Sequence, residues 1–314
     1  METRNLVNFN SEETRRFLNS FDTVVTDCDG VLWLGNNPIE GSFDTLKKLK
    51  SIGKRILFVS NNSAMTLEQY CEKFRTAGYP ICVDDLVIPS SVISWYLKSR
   101  GFDGKAFVLG TKAFIKVLEA GGIEVAEQSP APLEESFEAI LAEYRKCPEA
   151  KAVIVDLDIN VNWSKLGRAI RYLRNSDVLF LTGAVDRKIP VALNVTLLGN
   201  GIFVDLISKE SNREPVCCGK PSVIMKNYIL DKFGLVDPRR CLFIGDSLEN
   251  DMKFADLCGF GKLWVGSGVD TPDESPSKGA ASIPDYYLPR LGLLMPLLEV
   301  SSHPDSVGYT DKPV

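Results

Sequence analysis

Two aspartates one residue apart, Asp27-Cys28-Asp29, followed by Gly30, stand just past the apolar run FDTVVT in a chain of 314 residues. Asp246 and Asp251 follow a second apolar run, CLFIG, and Ser60, Asn61 and Asn62 follow a third, RILFV. Lys220 is set between Gly219 and Pro221. A phosphate ester resists attack because its own negative charge repels nucleophiles. Mg²⁺ held by carboxylates neutralises that charge, and a carboxylate nucleophile can then form an acyl phosphate. A second carboxylate can protonate the leaving oxygen and later activate water, an acid–base effect of about 10²–10⁴-fold. Asp246 and Asp251 would complete a hard oxygen-ligand site suited to Mg²⁺. Ser60 and Asn61 can donate hydrogen bonds to phosphoryl oxygens, and Lys220 offers them a positive charge.

Taken singly, each of these pieces has a plainer reading. Asp-x-Asp-Gly makes an acidic turn, Ser-Asn-Asn-Ser caps a helix, an isolated lysine is solvated, and acids at a helix start favour the dipole. Their joint placement beside strand and helix ends, in one order, carries the chemical reading.

The elements that must position them are legible from periodicity. Phe21 to Thr26 reads as a buried strand, and GSFDTLKKLKSIG as a helix with Phe43, Leu46 and Leu49 on one face and Gly53 as its stop. Ile56 to Val59 reads as a second strand. TLEQYCEKFRTAG reads as a helix with a Thr66/Gln69 capping box and an apolar face of Leu67, Tyr70, Cys71 and Phe74. Strand–helix–strand–helix in this order implies parallel strands with crossover helices, and ligands bind beyond the carboxyl ends of such strands. The same grammar returns late. PSVIMKNYILDKFG is a helix with Pro221 in its first turn, Cys241 to Ile244 is a strand, and an acidic turn leads into a helix closed by Gly259. Between Ser60 and Lys220 lie further strand-like segments, KAFVLG, AVIVDLD and VLFLTG, with the helical stretch NWSKLGRAIRYLRNS among them. The expected organisation is an α/β protein whose catalytic core, residues 1–102 and 215–300, is interrupted by an inserted α/β domain at 103–214, with a polar tail at 301–314.

Composition narrows the function classes. The chain carries 36 basic and 41 acidic residues, a net charge of −5, which argues against nucleic acid or an acidic membrane surface as the main partner. No apolar run reaches the ~20 residues that span a bilayer. One histidine, His303, excludes histidine-centred triads and multi-histidine metal sites. Eight cysteines are scattered without a CxxC pair, and the opening METRNLVNFNSEETRRF shows no apolar leader, so reduced thiols in the cytoplasm are the expectation. The adjacent Cys217 and Cys218 read as packing at a strand edge.

The segments DCDGVLW (27–33), SNN (60–62), GKPS (219–222) and GDSLEND (245–251) together resemble the four signature motifs of the haloacid dehalogenase superfamily of phosphatases. The long insertion between the second and third motifs resembles the C2a cap of its 4-nitrophenylphosphatase branch, which includes phosphoglycolate and pyridoxal phosphatases. The resemblance covers nearly the whole chain, up to PDYYLPRLGLL. It implies a Rossmann-like parallel-sheet core with an inserted cap and a Mg²⁺-dependent hydrolysis of small phosphate monoesters. In that scheme Asp27 is the nucleophile and Asp29 the general acid/base. Mg²⁺ is held by Asp27, the main-chain carbonyl of Asp29 and Asp246, with Asp251 in support. Ser60, Asn61 and Lys220 hold the phosphoryl group, with Asn62 nearby. A carboxylate at Asp29 disfavours dehalogenation, since the dehalogenases lack one there. A homodimer formed through the caps is also implied.

The resemblance implies that specificity resides in the cap. Where the family often has Thr-Asn-x-Asp, this chain has Gly183-Ala184-Val185-Asp186 and keeps only the aspartate. Three residues on, pyridoxal phosphatases place a histidine and phosphoglycolate phosphatases an apolar residue; here it is Ile189, either a packing residue or a substrate contact. The absence of a cap histidine speaks against the pyridoxal type. The alternatives to a metabolite phosphatase are a phosphoprotein phosphatase and a catalytically weak binding or scaffold protein of the same fold.

Overall fold

Thr23-Val24-Val25-Thr26 is β-branched throughout and forms a strand whose four residues are all buried, as a parallel strand covered on both faces must be. The structure, a computed structural model, describes residues 3–128, 134–146, 148–192, 195–270 and 280–300. His303, Cys147 and the 301–314 tail lie outside the described residues. The chain divides into two compact units, residues 1–57 with 237–314 and residues 58–236.

In the first unit five strands run parallel in the order Arg4–Asn5, Tyr286–Leu288, Gly261–Val265, Cys241–Gly245, Thr23–Thr26. Ile244 lies opposite Thr26 and Gly245 opposite Trp264, so the residues after each strand emerge on one edge. The helix Ser42–Ser51 buries Phe43, Leu46 and Leu49, the face its spacing predicts. The helix Ser11–Asn19 starts at Asn10, whose side chain and that of Glu13 form a reciprocal capping box. The strand Arg55–Val59 begins here, with the Arg55 N–H donating to the Asp22 carbonyl at 3.0 Å.

In the second unit the last residues of that strand, Phe58 and Val59, pair in parallel with Leu86 and Val87. The helix Leu67–Thr76 follows with the Thr66/Gln69 capping box in place and Tyr70 and Phe74 buried. A separate five-stranded parallel sheet has the order Val216–Cys217, Leu179–Thr182, Ala152–Val155, Lys105–Leu109, Glu124–Val125. Its core gathers Phe107, Val153, Val155, Leu173, Phe180 and Ile207, each worth roughly 1.5–3 kcal/mol when fully withdrawn from water. Cys217 lies on the edge strand, a packing position as its neighbourhood in the sequence suggests. An antiparallel hairpin, Lys188–Ala192 with Val195–Leu198, was not anticipated, because Pro190 interrupts its strand pattern. Pro221 also differs from expectation. It precedes the helix Val223–Phe233, and Ser222 is the N-cap, its hydroxyl accepting from the Met225 N–H. A serine that satisfies one of the orphan N–H groups fixes the helix start better than a proline can.

Candidate active site

The first unit carries an acidic cluster. Asp27 follows the strand Thr23–Thr26, and its N–H donates to the Ile244 carbonyl at 2.8 Å. Asp246 follows the neighbouring strand Cys241–Gly245, and Asp251 lies in the widened helical turn Leu248–Met252. One oxygen from each of the three carboxylates lies within 4.8 Å of the others, and all three residues are buried. Asp251 is drawn in because its Oδ2 accepts the N–H groups of Asp246 and Ser247, each at 3.0 Å.

Three carboxylates gathered in a buried place repel one another unless protonated or neutralised by a cation. Their all-oxygen donor set is that of a hard divalent ion rather than of zinc, which prefers nitrogen and sulfur. Gly30 explains the closeness of packing. It adopts φ +78°, and a Cβ there would collide with Asp246 Oδ2.

Asp29 is fixed by a residue whose role the sequence did not reveal. The indole Nε1–H of Trp33, itself 1% exposed, donates to Asp29 Oδ1 at 2.9 Å. Gly30 N–H donates to the Trp33 carbonyl at 2.8 Å and closes the turn that makes this reach possible. A second overlooked segment follows the strand Gly261–Val265. Val269 N–H donates to Asp246 Oδ2 at 2.7 Å, and Ser267 Oγ–H donates to the Gly30 carbonyl at 2.6 Å. Trp264 Nε1–H holds the Asp246 carbonyl at 2.9 Å. The available signal was the position of GSGVD after another strand of the same sheet.

The second unit carries the hydrogen-bonding group. Asn61 uses both edges of its amide on Lys220: Nδ2 donates to the Lys220 carbonyl at 2.9 Å, and Oδ1 accepts the Lys220 N–H at 2.7 Å. Lys220 is 1% exposed, and its ammonium donates to the Val59 carbonyl at 3.0 Å. Ser60 is buried and accepts the Asn62 N–H at 3.1 Å, with the Tyr70 hydroxyl 3.0 Å away. Asn62 turns its Oδ1 to the Ala64 N–H at 2.9 Å, which makes it the residue that shapes the loop. Asp186 joins the group through Asn61 Nδ2, at 3.5 Å from its Oδ2. Ile189 is placed in the hairpin opposite Leu197.

Two family models match this chain. One, for haloacid dehalogenase-like hydrolases, covers residues 24–124, and one described as HAD-hydrolase-like covers residues 217–294. Glycerol-3-phosphate phosphatase of Gallus gallus is 33% identical over 299 residues, 92% of this chain and 95% of the relative. The chain belongs to the haloacid dehalogenase-like hydrolases. Phosphoglycolate phosphatase 2 of Arabidopsis thaliana is likewise 33% identical, over 92% of this chain and 97% of its own length. Among solved structures, the 4-nitrophenylphosphatase of Thermotoga maritima matches with a TM-score of 0.74 at 25% identity, covering 88% of this chain and 97% of its own. With such relatives, this haloacid dehalogenase-like hydrolase is an enzyme, a phosphoric monoester hydrolase with the parallel-sheet α/β fold of that family. Among the described residues, no helix is long and apolar enough to cross a membrane.

Proposed function

We propose that this enzyme is a Mg²⁺-dependent phosphatase of small phosphate monoesters that works through a phosphoaspartate on Asp27. The observation that carries the reading is the buried cluster of Asp27, Asp246 and Asp251, with Asp29 held beside it in sequence by Trp33. Asp27, Asp246 and Asp251, with the main-chain carbonyl of Asp29, would hold the ion. When bound, it supplies positive charge that offsets the charge of the phosphate.

A carboxylate oxygen of Asp27 attacks phosphorus, the ester P–O bond breaks, and Asp29 gives its proton to the leaving alkoxide. Water then attacks the acyl phosphate, Asp29 takes up its proton, and inorganic phosphate leaves Asp27. Ser60, Asn61 and the Lys220 ammonium hold the phosphoryl oxygens, and Asn62 shapes their loop. Asp186 and Ile189 would contribute to substrate choice.

The domain reading that accompanies this function is a core of residues 1–102 and 215–300 and a cap of 103–214. It is supported by the separate sheet whose first strand begins at Lys105. A homodimer through the caps fits the exposed apolar side chains of Phe137, Leu197 and Leu198. A cytoplasmic location fits the cysteines, seven of which form no disulfide among the described residues.

The decisive experiment is a panel of phosphate esters assayed with and without Mg²⁺: glycerol 3-phosphate, phosphoglycolate, pyridoxal phosphate, 4-nitrophenyl phosphate and a phosphotyrosine peptide. Metal-dependent turnover with the highest kcat/KM on a small metabolite is the expected result. Preference for the peptide would move the assignment to phosphoprotein substrates, and no turnover on any of them would overturn it.

Trp33→Phe tests the acid. The substitution keeps an aromatic ring in the site, with a small cavity where the indole was larger, and removes the N–H that orients Asp29, so kcat for glycerol 3-phosphate falls by about tenfold, the loss of one charge-assisted hydrogen bond. 4-Nitrophenolate leaves with little help from a proton, so formation of the phosphoaspartate from that substrate is affected less. Single-turnover rates on both substrates separate the two, and equal losses would count against Asp29 as the acid.

A further inference from the structure

The cap sheet ends in a row. Leu109, Val155, Thr182 and Cys217 are level with one another in register, so Gly110, Asp156, Gly183 and Cys218 follow side by side at the carboxyl edge, where parallel sheets bind ligands. Asp156 is the acid in that row, and nothing in its sequence setting, AVIVDLD, marks it out. It is 4% exposed, and its Oδ1 accepts the Leu157 N–H at 2.6 Å.

Its Oδ2 accepts the Ser63 hydroxyl at 3.3 Å, which ties it to the loop containing Ser60 and Asn61. The Thr111 hydroxyl holds the Ser63 carbonyl of the same loop at 3.1 Å. Asp156 fits because position 183 has no side chain: a Cβ on Gly183 would collide with Asp156 Oδ2 and would also stand 3.0 Å from Pro89 Cβ. Gly183 is thus less a lost side chain than an exchange, in which the space is filled by a carboxyl from the next strand. Asp186, three residues after Gly183, reaches the same loop through Asn61.

We propose that Asp156 is a specificity-determining residue, which sets a second carboxyl beside Asp186 at the phosphate-binding loop and so favours phosphate esters of hydroxyl-bearing alcohols over esters whose alcohol part carries a carboxylate. The proposal rests on the phosphatase reading above. A hydroxyl group can donate to a carboxylate, whereas a substrate carboxylate brought near two acids meets like charge with little water to screen it. The groups that face Asp156 agree. From neighbouring elements these are the Ser63 hydroxyl, the Leu157 and Ala184 N–H groups, the Asp186 carboxylate and the Cys217 thiol, which burial pushes up to about 11 and so keeps neutral. Burial, reinforced by the charge of Asp186, pushes the Asp156 carboxyl up to about 7. It is therefore neutral below that pH and charged above it, and discrimination against a substrate carboxylate grows as pH rises through this value.

The test is the ratio of kcat/KM for glycerol 3-phosphate to that for phosphoglycolate, from about pH 5.5 to about pH 8.5, with 4-nitrophenyl phosphate as a control. Phosphate titration is common to both metabolites and largely cancels in the ratio. In the unaltered enzyme the ratio rises about tenfold across neutrality, the effect of a like-charge interaction equivalent to one pKa unit. In Asp156→Asn the ratio is flat, and in Asp186→Asn the rise moves to lower pH because one neighbouring charge is gone. A flat ratio in the unaltered enzyme, or an equal rise in Asp156→Asn, overturns the proposal while leaving the phosphatase reading intact. Absence of turnover on all three esters overturns both.

Discussion

Asp27→Asn abolishes steady-state turnover, leaving no more than about 10⁻⁴ of the original kcat on any phosphate ester, the scale seen when a covalent nucleophile is removed. The substitution preserves the volume of the side chain and the backbone bond from Asp27 N–H to the Ile244 carbonyl, so the loss is chemical rather than structural. An amide oxygen is too weak a nucleophile to form the acyl phosphate, and an amide cannot carry the negative charge that a divalent ion would bind. The fold gains rather than suffers. Removing one of three clustered buried carboxylates lowers their mutual repulsion, so without divalent metal the melting temperature holds or rises. Kinetics with 4-nitrophenyl phosphate and thermal denaturation in chelator check both halves. Retained activity would remove Asp27 from the role of nucleophile.

The second large effect is at Asp251, and comparison of two substitutions divides its work. Asp251 is 1% exposed, and its Oδ2 is the acceptor for two backbone N–H groups, those of Asp246 and Ser247. Asp251→Ala strands both donors, at about 1–3 kcal/mol each, and deletes a carboxylate from the cluster. The expected outcome is a destabilised protein with activity reduced by about 10–100-fold at ordinary Mg²⁺ concentrations. Asp251→Asn still offers an oxygen to those N–H groups but not the charge. It stays folded and recovers part of its activity as Mg²⁺ is raised, whereas Asp251→Ala does not. Urea denaturation and a Mg²⁺ titration of kcat/KM make the comparison. Equal Mg²⁺ dependence in Asp251→Asn and the unaltered enzyme would place Asp251 outside the metal site.

The acids at strand ends were readable in the sequence because a buried parallel strand is an uninterrupted apolar run, and Asp27 and Asp246 stand immediately past two of them. The Thr66/Gln69 capping box and the helix face of Phe43, Leu46 and Leu49 were readable for the same reason, since each is a local pattern. What could not be read depends on distant partners. Trp33 stands within the first motif, yet its bond to Asp29 depends on a turn closed by Gly30. The brace from Ser267 and Val269 acts on residues of two other loops. Asp156 was hidden for a subtler reason. Gly183 looks like a missing side chain until the neighbouring strand is in register, and only then is the space seen to be filled.

The amide clamp between Asn61 and Lys220 joins residues 159 positions apart. Closing a loop of that length has an entropic cost that the contact must offset. In the proposed mechanism the lysine that meets the phosphate is held by this long-range contact. During synthesis a chain that has not yet emerged as far as Lys220 already holds Asn61 but not its partner. The pairing that holds the proposed phosphate lysine therefore needs both ends of this segment, and no fragment ending before Lys220 can make it.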